Sequence, residues 1–197
     1  MVLPGRYSVA ISRRVEGRLE EISGPQTFDL KPLFTGGLVA DDREAVLQFQ
    51  AKTADLYRAV MGANRAAAEI EDRIKHLMTA VEETSSSTPQ QANAVRALNS
   101  RMQELQVGLN GDRSVSRRAE PVPLSLTSRI NAIAGAWDSQ AAVTGNHRDS
   151  YQVAAGQFPP ILAELKAISA DLVNLENELE AEGAPWTPAR IPDWPDN

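Results

Sequence analysis

There is no cysteine in this 197-residue chain, so disulfides and thiolate metal sites are excluded and stability has to come from packing. A chain of that length, as one domain or one domain with an appendage, buries enough surface to need no covalent staple. The missing cysteine leaves the compartment open, since many exported bacterial proteins also lack it. Histidine is almost as scarce, with His76 and His147 the only two. A dinuclear metal centre between helices calls for Glu-x-x-His pairs, and the residues three before these histidines are Arg73 and Thr144. No metal and no cofactor are expected; His76, four residues after Asp72, reads as a surface side chain beside an acid. Long apolar runs are missing too. None approaches the ~18 residues of a spanning helix, and no basic-then-apolar leader is visible, so membrane insertion is not expected. Basic charge is in deficit: 20 Lys and Arg against 26 Asp and Glu leave a formal charge of −6, which opposes binding to nucleic acid or anionic lipid. Neither a Gly-x-Ser-x-Gly elbow nor a phosphate-cradling glycine loop is present.

What is present divides into a short β segment and a long helical one. In residues 1–36, Tyr7, Val9 and Ile11 alternate with small or polar residues, and Glu16-Gly17 supplies a turn. A return strand starts near Arg18, Ser23–Pro25 breaks it, and residues 26–30 form a further short extended piece. Two strands alone are marginal in water, so this hairpin needs a surface to pack on: the helices, or another copy of the chain through its bare edge.

From Asp41 the period changes. Val46, Phe49, Thr53, Leu56, Val60, Ala63, Ala67, Ile70, Ile74, Leu77 and Val81 recur at steps of three and four, the seam of one long helix running to about Glu83. Thr88, Pro89 and Gln91 spell a capping box for a second helix whose stripe is Val95, Leu98, Met102, Leu105 and Leu109, stopped by Asn110-Gly111. Leu126, Ile130, Ile133 and Trp137 mark a third, and the second and third together can run antiparallel along the first. Thr144 caps the last, with Tyr151, Ala154, Phe158, Ile161, Leu165, Ile168, Leu172, Leu175 and Leu179 as its stripe. The register continues across Pro159 and Pro160, which predicts a kinked helix rather than two. The expected fold is mainly α (α+β): an elongated antiparallel bundle of three or four helices over 41–183, an N-terminal hairpin, and a tail over 184–197 rich in Pro and Trp.

Few residues invite chemistry, and no catalytic residue stands out. Glu69, Glu71 and Asp72, or Glu176, Glu178, Glu180 and Glu182, supply carboxylates, but the spacing puts them off the apolar seam, where solvent keeps both members of any pair ionised. Arg113, Arg117 and Arg118 form a loop cluster for an anion or acidic partner, or merely a solvated loop. Trp186 and Trp194 lie outside any helix. They read first as a clasp onto the chain's own surface, and otherwise as anchors for a partner, a saccharide or a peptide.

The order of "LPGRYSV", a return strand reaching "FDL", a long helix after an acidic cap, the "LTSRINAIAGAWDS" helix and a Leu-rich last helix resembles the C-terminal region of bacterial BNR-repeat (Asp-box) β-propeller proteins. These form the sortilin-like group commonly labelled glycosyl hydrolases. The resemblance implies that the hairpin belongs to an immunoglobulin- or fibronectin-like sandwich. It also implies that the chain is a C-terminal piece of a larger, exported protein, periplasmic or secreted, with the parent propeller as its partner. No Asp-box repeat stands in this sequence, so no catalytic residue carries over. The expected function is a non-enzymatic structural or interaction module, and the alternative is a glycan-acting hydrolase or its accessory binding domain.

Overall fold

The computed structural model describes residues 2–32, 40, 42–118, 120–135 and 141–192. It is mostly helical, with an antiparallel two-stranded hairpin at the N-terminus. Strand β1 is Gly5–Val15 and β2 is Arg18–Leu30. Glu16 and Gly17 both take positive φ, 48° and 81°, the turn whose twist matches that of a hairpin. Residues 23–25 do not end the return strand, contrary to the expectation. The register slips twice between Val9 and Ser12, each time with the extra residue on β2: Gly24 and Pro25 stand opposite Ala10 in the first bulge, and Ile22 is the extra residue of the second.

Helix α1 is Arg43–Glu83, α2 is Pro89–Asn110, α3 is the single turn Arg113–Ser116, α4 is Leu126–Ala134 and α5 is Gly145–Ala181. At 1.5 Å per residue α1 is about 62 Å long and α5 about 55 Å. Their starts are chemically marked. The Asp42 carboxylate accepts from the Ala45 amide at 2.8 Å. Thr88 and Gln91 form the reciprocal capping box with Pro89 behind it. Ser125 and Thr144 cap α4 and α5. Among the described residues no helix is long and apolar enough to cross a membrane.

The helices share one core. Every predicted seam residue of α1 except half-buried Leu56 is buried, as is the whole stripe of α2 and the three described residues of α4. Trp137 lies outside the described residues. Helix α5 is continuous through Pro159 and Pro160, so the residues do not split. Both prolines are exposed, which leaves the carbonyls deprived of an amide partner on the side where water reaches them.

Cross-helix contacts fix the directions. Phe49 meets Tyr151 with ring centroids 5.7 Å apart, and Arg73 meets Glu176, so α1 and α5 run parallel. Helix α2 runs against both: Gln106 bonds Glu71 at 3.0 Å, Gln91 bonds Glu182 at 2.9 Å, and Arg101 bridges Glu164 and Asp171. Thr127, at the start of α4, accepts from Asn64 and donates to Asn110, so α4 takes over on α1 where α2 stops. The result is an up-down-up arrangement in which two short helices laid end to end face two long ones.

The hairpin stands apart. No helix makes a substantial contact with it among the described residues, which removes the expectation that it docks on the helices. Val9, Ile11, Val15, Leu19, Ile22 and Phe28 are all exposed.

Candidate functional site

The end of α5 is where the charged and aromatic side chains gather. The helix closes with a Schellman motif: Gly183, at φ 88°, lets its own amide reach the Glu180 carbonyl and the Ala184 amide reach that of Leu179 at 2.9 Å. The chain then folds back along α5 instead of running on as a free strip. A turn from Thr187 to Arg190, with Ala189 at φ 66°, completes the reversal. A non-glycine residue in that region is strained, and the strain is held by what lies on either side of it. Thr187 is buried and donates to the Glu176 carboxylate at 2.7 Å. Arg190 grips Glu180 through two nitrogens and reaches Asn177, and the Glu180 carboxylate raises its pKa further.

Glu176 is the centre of this arrangement. It is 0 % exposed, wedged between α1 and α5, and Arg73 of α1 binds both its oxygens. The expectation that all the acids of α5 lie off the seam is therefore overturned for Glu176. Steps of three and four from Leu172 to Leu179 pass equally through Leu175 and Glu176, and choosing by apolarity selects the wrong one. No local signal marks it, since Arg73 also has Glu69 four residues before it on α1.

The tail is thus clasped to its own helix, but not by tryptophan. Ala184, Thr187 and Arg190 make the clasp, whereas Trp186 is 45 % exposed and lines a shallow cleft of about 590 Å³ with Asn177, Glu180 and Arg190. Trp194 lies outside the described residues.

The arginine cluster does not converge on a site. Arg113, Arg117 and Arg118 are all exposed; Arg118 pairs with its neighbour Glu120 at 2.8 Å, and Arg113 borders a polar cleft of about 610 Å³ between α1 and α2. Glu71, Gln106, Asn110 and Asn64 line that cleft, and a hydrogen-bonded chain joins them in that order, Thr127 linking the last two. Its two carboxylates are already engaged. Glu71 holds Lys75 and Gln106, and hydrogen bonds from the Ser114 hydroxyl and amide keep the Asp112 carboxyl below the usual carboxylate range. A general acid needs the opposite shift. His76 sits 3.8 Å from Asp72 on the exposed face, and no group of three metal-ligating side chains occurs among the described residues.

The fold and these sites define a helical chain whose residues 184–190 clasp α5 and whose β ribbon, among the described residues, packs on no helix. No family model, curated protein or solved structure matches it.

Proposed function

We propose that the chain is a non-catalytic structural and protein-interaction module: a helical bundle serving as a rigid spacer that carries the hairpin as its adhesive part. The observation that supports this reading is the contrast between the two. The helices bury their seams against one another and fill their clefts with paired side chains, while β1 and β2 expose six large apolar residues and touch no helix extensively. A two-stranded ribbon of 11 and 13 residues gains too little from its own cross-strand pairs to be stable by itself, so its stabilising contacts come from outside the described residues. Following the resemblance, the module closes a larger, exported β-propeller protein, and the hairpin is the end of an immunoglobulin- or fibronectin-like sandwich. Propeller repeats in an uninterrupted reading frame upstream of Met1 support that parentage, and a stop codon directly upstream removes it.

Removing residues 1–32 is expected to leave the thermal unfolding of the helices cooperative, with a midpoint within a few degrees of the full chain. A fall larger than the ~2–4 °C that 1 kcal/mol produces in a domain of about 150 or more residues would make the hairpin part of the helical fold and overturn the reading.

A second reading is favoured by one observation, the exposed Trp186 ring beside Asn177, Glu180 and Arg190: an accessory saccharide-binding surface. An aromatic face flanked by planar hydrogen-bonding groups suits a sugar ring. Oligosaccharides would then shift the tryptophan emission, and Trp186→Ala would remove the shift; emission unchanged across a panel removes this reading.

A further inference from the structure

The ribbon has two outer edges, and they are not equivalent. On β2 the edge is interrupted. Both register slips put their extra residue there, and Pro25 has no amide hydrogen to offer. Glu20, Glu21 and Asp29 add acid to the same strand. Bulges, proline and charge are the devices that keep an edge from pairing. On β1 no proline and no bulge residue interrupts the edge between Gly5 and Val15, and its charges, Arg6, Arg13 and Arg14, flank an uncharged stretch from Tyr7 to Ser12.

The side chains of β1 are arranged symmetrically about Val9. Large apolar residues stand at Tyr7, Val9 and Ile11, and the small residues Ser8 and Ala10 lie between them. Phe28 and Leu30 of β2 extend the apolar face, with the Tyr7 and Phe28 rings 6.1 Å apart across the ladder. Val9, Ile11 and Phe28 are 52 %, 58 % and 47 % exposed.

We infer that β1 pairs antiparallel with β1 of a second copy of this chain, on a two-fold axis through Val9, giving a four-stranded sheet. The inference rests on the reading of the hairpin as the adhesive part of the module. In this register Val9 faces its own counterpart, Tyr7 faces Ile11, Ser8 faces Ala10, Arg6 faces Ser12 and Arg13 faces Gly5. No arginine opposes an arginine, although β1 carries Arg6, Arg13 and Arg14. Like charges directly opposite would be destabilising, so this placement is what a self-complementary strand requires. The apolar residues of both copies then form one continuous face. Because the outer strands of the sheet are both β2, with their interrupted edges, assembly stops at two copies, as a closed two-fold interface does. An acidic strand from another protein has less to recognise, because Arg6 and Arg13 already pair with Asp29 and Glu20 across the ladder, and it leaves the symmetry about Val9 unused. A seam made by one pair of strands belongs with small, transient interfaces, so weak pairing is expected.

The test is sedimentation velocity of the full chain across the micromolar range. The mass is expected to climb from the 21.4 kDa of one chain towards twice that value. Val9→Lys, which sets two ammonium groups against each other on the axis, is expected to abolish the rise. Gln26→Lys puts the same charge directly across the ladder on β2 and leaves the rise intact. The absence of native cysteine allows a second measurement independent of how well Val9→Lys folds. Val9→Cys should be joined into a covalent dimer by oxidation or a short bis-maleimide. Ile11→Cys should not, because this register separates the two copies of residue 11 by four positions, about 14 Å. A chain that stays monomeric throughout, or Ile11→Cys cross-linking as well as Val9→Cys, overturns the inference. If the chain is monomeric while its helices melt unchanged without the hairpin, the module reading stands and its partner is a different molecule. If loss of the hairpin unfolds the helices, the module reading itself fails.

Discussion

Arg73→Ala lowers the unfolding free energy by about 3–5 kcal/mol, the largest effect expected of any single charged residue here. The reason is the asymmetry of the pair. Glu176 is wholly buried between α1 and α5, whereas the Arg73 side chain keeps about a fifth of its surface in water. Removing the guanidinium strands a carboxylate that has no route to solvent and, among the described residues, keeps the Thr187 hydroxyl alone to hold it. Removing the carboxylate instead leaves an arginine that can swing outward, and a leucine at 176 continues the apolar seam between Leu172 and Leu179. Glu176→Leu is therefore the milder change, its main cost the unpaired Thr187 hydroxyl, about 1–3 kcal/mol. Urea denaturation of the two variants decides the matter, read as midpoint shifts at constant slope. An Arg73→Ala chain no less stable than Glu176→Leu would show that the pair is not what holds this end of α5 against α1.

The second large effect is expected at Ile130. It is fully buried in α4, which packs on α1, α2 and α5 at once. Truncation to alanine removes transfer energy and leaves a cavity, together worth about 2–5 kcal/mol. The distribution of the damage matters more than its size. Helix α4 has nine residues, well under the ~12–15 at which an isolated helix becomes even marginal in water, so its helicity depends on the three side chains it buries. Ile130→Ala should release α4 locally before the rest unfolds. Hydrogen exchange is expected to show α4 losing protection together with the parts of α1 and α5 that it covers. The C-terminal half of α1, packed on α2, keeps its protection. A uniform loss over all helices would mean that α4 does not open on its own.

Much of the helical part was legible without coordinates. The three-four spacing from Val46 to Val81 identified α1 and its buried side because a helix repeats its faces every few residues whatever it packs against. Thr88, Pro89 and Gln91 announced the start of α2 because a capping box is complete within one turn. The turn at Glu16-Gly17 was readable for the same reason. The errors share a cause. Ser23–Pro25 looked like an end of strand because turn residues are judged locally, yet a partner strand that stays in register turns them into a bulge. Glu176 was set among the solvated acids because its partner sits on another helix, 103 residues away. The tail was read through its tryptophans, the residues that bury most area, but Thr187 and Arg190 found acids waiting on α5 and Trp186 was left outward.

From its amino-acid order alone this protein is a set of amphipathic helices with marked ends, a hairpin, and no cysteine framework; these properties are settled by interactions reaching no more than a turn or a ladder step. Folding in three dimensions decided that α1 and α5 run parallel, that α2 and α4 lie end to end against them, that a carboxylate is buried at their junction, and that among the described residues no helix covers the hairpin. Those outcomes depend on which surfaces meet across long stretches of chain, where the free energy of one contact is weighed against all the others, and no local pattern carries that comparison.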